Sequence, residues 1–242
     1  MISVCVATYN GAEYIREQLE SILAQLSAED EVIVSDGGST DKTAEQVAQI
    51  HDPRVRWIIM PAAPTREKGV WKQVELIRRN FEHALQQAKG EIVFLSDQDD
   101  QWLPGKVDKV LAAMNENTMC VVHDAKVTDE GLHVLHPSIM DLFHPCFSRW
   151  GVLWKSPYMG CCMTVRKAVA DKALPMPQGV EYDTWLGCVA RSLGEVRFLK
   201  EPLLLYRRHE KNASFLANKN TNSIAVKLRR RFNILKSCVL YL

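Results

Sequence analysis

The 242-residue sequence contains no run of about 18 uncharged apolar residues, the length a membrane-spanning helix needs. Met1 to Ala7 is apolar but lacks the basic flank and the length of a secretory leader, so it is expected to belong to the fold. No CxxC pair occurs among the seven cysteines, and Cys161 and Cys162 are adjacent. That pattern suits neither a zinc knuckle nor a disulfide ladder, and the expected state is reduced, buried thiols in a cytoplasmic protein. Neither sign of charge dominates: Lys and Arg number 30 against 29 Asp and Glu, a net charge of +1. A whole-chain electrostatic grip on nucleic acid is thereby excluded, because such binding needs a basic footprint. Neither GxGxxG nor GxxxxGKS/T appears, so a dinucleotide site or P-loop has no support.

What is present is ordinary globular composition, 47% hydrophobic and 24% charged. The length suits one domain or one and a half, at about 100–200 residues per domain. Ile2 to Ala7 is a continuous apolar run that ends in Thr8-Tyr9-Asn10-Gly11, a buried strand followed by a turn. Ile15, Leu19, Ile22, Leu23 and Leu26 then recur at helical spacing. Glu31 to Ser35 predicts a second strand, with Ser39 or Thr40 as the cap of a helix that carries Ala44, Val47 and Ile50. Val55 to Met60 is a third strand. Val74 to Leu85 marks a long helix that ends near Gly90, and Glu91 to Leu95 is a fourth strand. Pro104 is placed at the start of the next helix.

This alternation predicts an α/β fold: a Rossmann-like, mostly parallel central sheet with helices on both faces. The second half is less regular. Strands are expected at Thr118–His123, Cys161–Val165, Val196–Leu199 and Leu203–Tyr206, and a short helix at Trp185–Leu193. Residues 128 to 158 show no clear period and read as a functional loop.

Ligands on parallel sheets bind at the carboxyl ends of the strands. Three polar clusters fall there: Thr8-Tyr9-Asn10, Ser35-Asp36-Gly37-Gly38 and Ser96-Asp97-Gln98-Asp99-Asp100. Asp97, Asp99 and Asp100 follow a buried strand directly, and crowded carboxylates are relieved by a hard divalent cation. An EF-hand is excluded, because Trp102 stands where that loop needs glycine. Asp36 can accept hydrogen bonds from a nucleobase or ribose, or close an Asx turn. Asp183, between aromatic neighbours, can be a desolvated general base, a helix cap, or both. Arg207, Arg208 and His209 can clamp a diphosphate, ligate a metal through His209, or form a plain basic turn.

Residues 216–242 are distinct. Ile224, Val226, Leu228, Phe232, Ile234, Leu235, Val239 and Leu240 are interleaved with Lys227, Arg229, Arg230, Arg231 and Lys236, without an acid. This basic amphipathic helical segment is either an interfacial helix on anionic lipid or a helix packed on the domain with a solvated basic face.

Taken in order, these clusters resemble a bacterial family 2 glycosyltransferase. The resemblance rests on Ser3–Gly11, Asp30–Asp41 and Leu95–Trp102, and more loosely on Gly160–Met163, Tyr182–Trp185 and Tyr206–Asn212. It covers about residues 1–215 as one domain, with a nucleotide-sugar half at 1–100 and an acceptor half at 101–215. It implies a GT-A fold and inverting transfer from a nucleotide-diphosphate sugar, UDP-hexose or dTDP-rhamnose, with Mn²⁺ or Mg²⁺ as cofactor. It implies that Thr8 and Asp36 hold the nucleoside, that Asp97 and Asp99 with His209 serve the metal, and that Asp183 is the catalytic base. Tyr9, Asn10, Trp102, Gly160, Trp185 and Arg207 complete the expected substrate-binding set, Asp97 included. Gly37 replaces the second of the family's usual paired acids, and Tyr182 precedes the base where the family often has His or Glu. The implied acceptor is a lipid-linked saccharide in surface-polysaccharide or O-antigen synthesis, with the tail at the inner face of the cytoplasmic membrane. The competing expectations are a sugar nucleotidyltransferase and a non-catalytic saccharide- or membrane-binding protein. The first would need a basic, Gly-rich loop near the first strand, and Thr8-Tyr9-Asn10-Gly11 has no Lys or Arg.

Overall fold

An uninterrupted apolar strand must be covered on both faces, and that requirement puts the first strand in the middle of the sheet. β1 (Ile2–Thr8) pairs in parallel with β2 (Glu31–Asp36) on one side and β4 (Ile92–Asp97) on the other, and β3 (Val55–Ile59) lies beyond β2. The computed structural model describes residues 1–148, 151–209 and 224–241. Val4, Cys5 and Val6 are fully buried, as are Val32, Ile33 and Val34. α1 (Ile15–Leu23) buries Ile15, Leu19 and Ile22 from one stripe. α3 (Val70–Gln87) buries Trp71, Val74, Phe81 and Leu85 and packs on β1 and β2. Each fully buried side chain of this size contributes about 1.5–3 kcal/mol.

Two helix starts differ from the expectation. α2 (Thr43–Ala48) is not capped by Ser39 or Thr40; the Asp41 carboxylate accepts the Thr43 N–H at 3.0 Å. α4 (Lys106–Ala112) begins after Gly105, whose φ of 79° ends the turn that Pro104 opens.

The second half completes the sheet with long-range pairs. β8 (Met163–Arg166) inserts antiparallel between β4 and β6 (Thr118–Thr128). β9 (Glu195–Arg207) runs parallel to β6, and β5 (Gln101–Trp102) closes its far side. The two short strands expected between Val196 and Tyr206 are therefore one. Lys200 and Glu201 are bulged out where the register jumps from His123–Leu199 to Asp124–Pro202, and pairing resumes beyond them. The strand expected at Cys161 starts at Met163, because Gly160–Cys162 is a single tight helical turn. The stretch after residue 128 is partly ordered, with β7 (Val134–His136) on β6 and α5 (Ile139–Phe143) capped by the Ser138 hydroxyl. All seven cysteines are unpaired thiols, four of them buried.

α6 (Lys167–Ala173) and α7 (Tyr182–Leu193) follow β8. The Tyr182 ring stacks on Phe81 with centroids 3.9 Å apart, which ties α7 to α3. Gly160 makes that stack possible: a Cβ there would stand 1.7 Å from the Tyr182 hydroxyl. Gly160→Ala is expected to cost about 1–3 kcal/mol of stability, the range for overpacking, and to displace the first turn of α7. Urea unfolding checks this, and a wild-type midpoint would refute it.

α8 (Ile224–Tyr241) packs back on the domain through the buried Ile234 and a 2.8 Å hydrogen bond from Asn233 Nδ2 to the Gly179 carbonyl. The boundary expected at residues 215/216, and the Glu210–Asn212 part of the last motif, lie outside the described residues. Among the described residues, no helix is long and apolar enough to cross a membrane.

Candidate active site

In the order β3-β2-β1-β4 the chain first winds outward from β1 and then returns to its other side. Such a reversal opens a crevice at the carboxyl ends of the two central strands. Thr8 ends β1 and Asp97 ends β4, so they flank that crevice. Gln98 joins the two ends. Its Oε1 accepts from the Thr8 hydroxyl at 2.6 Å and from the Tyr9 N–H at 2.8 Å. Gly11 leaves room for it, since a Cβ there would lie 2.3 Å from the same oxygen. Asn80 Nδ2 donates to the Thr8 carbonyl at 3.0 Å, which fixes the strand end from α3.

The end of β2 is knitted to the same place. Asp36 is buried and accepts from the Ser39 hydroxyl at 2.5 Å and the Ser39 N–H at 3.0 Å, the turn-closing role that was one of its two readings. Asn10 bridges the two loops: its N–H donates to Ser39 Oγ at 2.8 Å, and its Oδ1 accepts the Thr40 N–H at 2.8 Å. Tyr9 is 58% exposed and its ring lies open at the mouth of the crevice.

The acidic turn is organised differently from the sequence expectation. A carboxylate oxygen of Asp97, one of Asp100 and the Cys161 sulfur lie within 4.8 Å of one another. β4 stops at Asp97 and the backbone bends at Gln98 and Asp99. The two-residue alternation that would align Asp97 with Asp99 is lost, and Asp100 comes round instead. Asp99 faces His209, whose Nε2 lies 2.8 Å from Asp99 Oδ2. His209 also stacks on Tyr14 at 5.0 Å.

Burial, then the charges of Asp99 and Asp183, push the Asp97 carboxyl up to about 8. Asp100 is raised well above the carboxylate range by burial and by Asp99 and Asp97. Its Oδ1 accepts the Arg207 N–H at 3.1 Å, while its Oδ2 is buried without a hydrogen-bond donor. A buried carboxylate oxygen in that state is costly. Asp97 and Asp100 thus fit a hard divalent cation, which supplies the charge they lack. The cluster rests on Lys106, which is buried, donates to the Cys161 carbonyl at 3.1 Å and lies 4.1 Å from the Trp102 ring centre. Burial pulls the Lys106 ammonium down to about 8.

Asp183 sits in the first turn of α7 and accepts its neighbour Thr184 N–H at 2.5 Å. The helix cap position itself is Glu181. Burial raises the Asp183 carboxyl to about 6, with the Glu181 charge as the next cause. The Asp183 charge is in turn one of the causes of the raised Asp97 carboxyl, after burial and Asp99.

Three expected substrate-binding residues have structural work instead. Arg207 donates Nε to the Asp99 carbonyl at 2.8 Å, Nη1 to the Glu130 carbonyl at 2.5 Å and Nη2 to Glu17 Oε2 at 2.5 Å. Its guanidinium also stacks over Tyr14, so it holds the acidic turn rather than presenting a clamp. Trp102 and Trp185 are 3% and 2% exposed. Trp102 packs on Phe94, and Trp185 Nε1 donates to the Ala173 carbonyl at 2.9 Å; both are core residues rather than walls of a sugar site. Gly160 acts through Tyr182, as described. Sequence reasoning gave no role to Gln98, Lys106 or Cys161. A lysine carries no mark of burial in the sequence, and the bonds of Gln98 to Thr8 and Tyr9 span about ninety residues, so only the folded chain reveals them.

With this geometry in hand, the relatives are informative. Residues 3–69 and 70–174 match the family model described as Glycosyl transferase family 2. WfaP of Escherichia coli, a UDP-Glc:alpha-D-GlcNAc-diphosphoundecaprenol beta-1,3-glucosyltransferase, is 25% identical over 98% of this chain and 86% of its own length. An uncharacterized glycosyltransferase of Nostoc sp. is 25% identical over 87% of this chain and 66% of its own. TarS of S. aureus, crystallised with UDP-GlcNAc, superposes with a TM-score of 0.63 at 22% identity, over 88% of this chain and 60% of TarS. The mannosyltransferase PcManGT of Pyrobaculum calidifontis, crystallised with GDP-Man and Mn²⁺, gives 0.60 at 21% identity, over 88% and 58%. These two structures share the fold. The chain spans about two thirds of the Nostoc relative and about three fifths of TarS.

Proposed function

The chain belongs to glycosyl transferase family 2 and has the GT-A fold, and on that premise we propose that it moves a sugar from a nucleotide diphosphate to a saccharide hydroxyl with inversion at the anomeric carbon. The observation that carries the reading is the Asp97–Asp100 pair at the carboxyl end of β4 together with a carboxyl of raised pKa, Asp183, within electrostatic reach of Asp97. The donor is UDP-hexose or dTDP-rhamnose. The acceptor is a saccharide on a polyprenyl diphosphate in bacterial surface-polysaccharide synthesis, at the inner face of the cytoplasmic membrane. WfaP, whose name carries a diphosphoundecaprenol acceptor, supports the acceptor class.

Thr8, Tyr9, Asn10 and Asp36 receive the nucleoside, with Tyr9 offering its open ring to the base and Asp36 oriented by Ser39. Asp97 and Asp100 would hold Mn²⁺ or Mg²⁺, which would supply positive charge for the diphosphate. Asp99, braced by His209, adds negative charge beside them. Asp183 accepts the proton of the acceptor hydroxyl as its oxygen attacks from the face opposite the nucleotide. A carboxyl raised to about 6 is near the operating pH, where a general base is effective. Alignment of hydroxyl and anomeric carbon supplies much of the acceleration.

The test is transfer itself. UDP-glucose, UDP-GlcNAc, dTDP-rhamnose and GDP-mannose are offered in turn with Mn²⁺ and a polyprenyl-diphosphate-linked sugar. Acceptor-dependent release of one nucleotide, with an inverted product linkage, is expected. Nucleotide binding without any release from any donor would contradict the reading and favour a binding protein.

A further inference from the structure

α8 has two unlike faces. Asn233, Ser237, Arg230 and Ile234 turn toward the domain, where Arg230 lies 2.9 Å from Glu181 and Ile234 and Ser237 are buried. The opposite face is apolar and open. Ile224, Leu228, Phe232, Leu235 and Val239 recur at intervals of four, four, three and four residues. At about 100° per residue they form one stripe roughly 80° wide, and they are 77, 57, 65, 43 and 83% exposed.

Cations border that stripe. Lys227 is exposed on one side and Lys236 on the other, and no acid occurs between Ile224 and Tyr241. Arg231 extends the first border and lies 4.2 Å from the ring centre of Trp154, which is itself 71% exposed. An exposed tryptophan beside an apolar stripe with basic flanks is the arrangement of an interfacial helix.

We propose that this face of α8, together with Trp154, seats the protein on an anionic phospholipid bilayer. The apolar stripe enters the headgroup boundary and the flanking cations meet lipid phosphates. The charge pattern favours lipid over a second copy of the chain. A twofold pairing of α8 with itself would set Lys227, Arg231 and Lys236 against cations of the other copy with no carboxylate of the helix between them, the paired Arg229 and Arg230 aside. The helix lies on the membrane rather than crossing it, consistent with its five Lys and Arg residues. The purpose of this seat rests on the lipid-linked acceptor proposed above, but its chemistry rests on α8 alone. The docked face reaches Glu181, two residues from Asp183, so the seat would hold the base near the membrane surface.

Co-sedimentation of the full chain with vesicles tests this, using phosphatidylcholine alone and phosphatidylcholine mixed with phosphatidylglycerol. Binding to the anionic vesicles is expected to be at least about tenfold tighter and to weaken at high salt. Leu228→Ser with Phe232→Ser, and separately Lys227→Glu with Lys236→Glu, are each expected to weaken it about tenfold or more. These side chains are exposed, so the melting temperature and nucleotide binding should stay unchanged, which separates failure here from failure of the transferase reading. Equal vesicle binding by wild type and both variants, or none by wild type, would overturn the proposal. So would a dimer in lipid-free solution that the same substitutions dissolve, which would assign the face to a second copy.

Discussion

Asp183→Asn is expected to lower turnover by about 100- to 10,000-fold, the range for loss of a general base, while nucleotide-sugar affinity stays within about twofold. The substitution keeps the shape of the side chain and its hydrogen bond from the Thr184 N–H. It removes the ability to take a proton. The pH dependence follows with a definite sign. Burial and Glu181 raise the Asp183 carboxyl to about 6, so below that pH it is protonated and cannot act as a base. Turnover of the wild type is expected to rise through pH 6, and the residual activity of the variant is expected to lack that limb. Single-turnover kinetics with separate donor binding checks both. Loss of donor affinity with turnover otherwise unchanged would remove the role of base.

Asp97→Ala is expected to abolish the metal-dependent part of donor binding, at least about tenfold in affinity. Asp97 is also a stability switch in the metal-free protein. Its folded carboxyl is raised to about 8 by burial, Asp99 and Asp183. A group so raised contributes stability that is fully present below its unfolded pKa near 4 and is lost as pH rises through about 8. The metal-free melting temperature is therefore expected to fall between about pH 4 and pH 8 and to level off above. Mn²⁺ should offset that fall, because it takes the place of the proton, and Asp97→Asn should make it shallower, leaving the part that Asp100 and Asp183 contribute. Calorimetry across pH, with and without Mn²⁺, reads all three effects. A slope identical in wild type and Asp97→Asn would rule out Asp97 as its source.

Much of this site was legible from strand ends. The apolar run Ile2–Ala7 and the clusters after Thr8, Ser35 and Leu95 locate the crevice, because a parallel sheet leaves its carboxyl ends open. The order of pairing in the second half was not legible. β8 joins β4 to β6 across long stretches of chain, and no local period encodes such partners. The sequence spacing of Asp97 and Asp99 did not bring Asp100 forward, since it assumes an extended chain where the backbone bends at Gln98. Trp102 and Trp185 look like sugar platforms beside polar motifs, yet each is buried, Trp102 against Phe94 and Trp185 with its Nε1 on the Ala173 carbonyl. In α8 the composition left two readings open; the structure shows one face packed on the domain and the other open.

The central claim is that the crevice between β1 and β4 holds a nucleotide diphosphate against the Asp97–Asp100 pair. Titration calorimetry of UDP, dTDP, GDP and CMP, each with Mn²⁺ and with chelator, tests it most directly. The account predicts that one nucleoside diphosphate binds with Mn²⁺ and at least about tenfold more weakly without it. Failure of every nucleotide to bind in the presence of Mn²⁺ would contradict it.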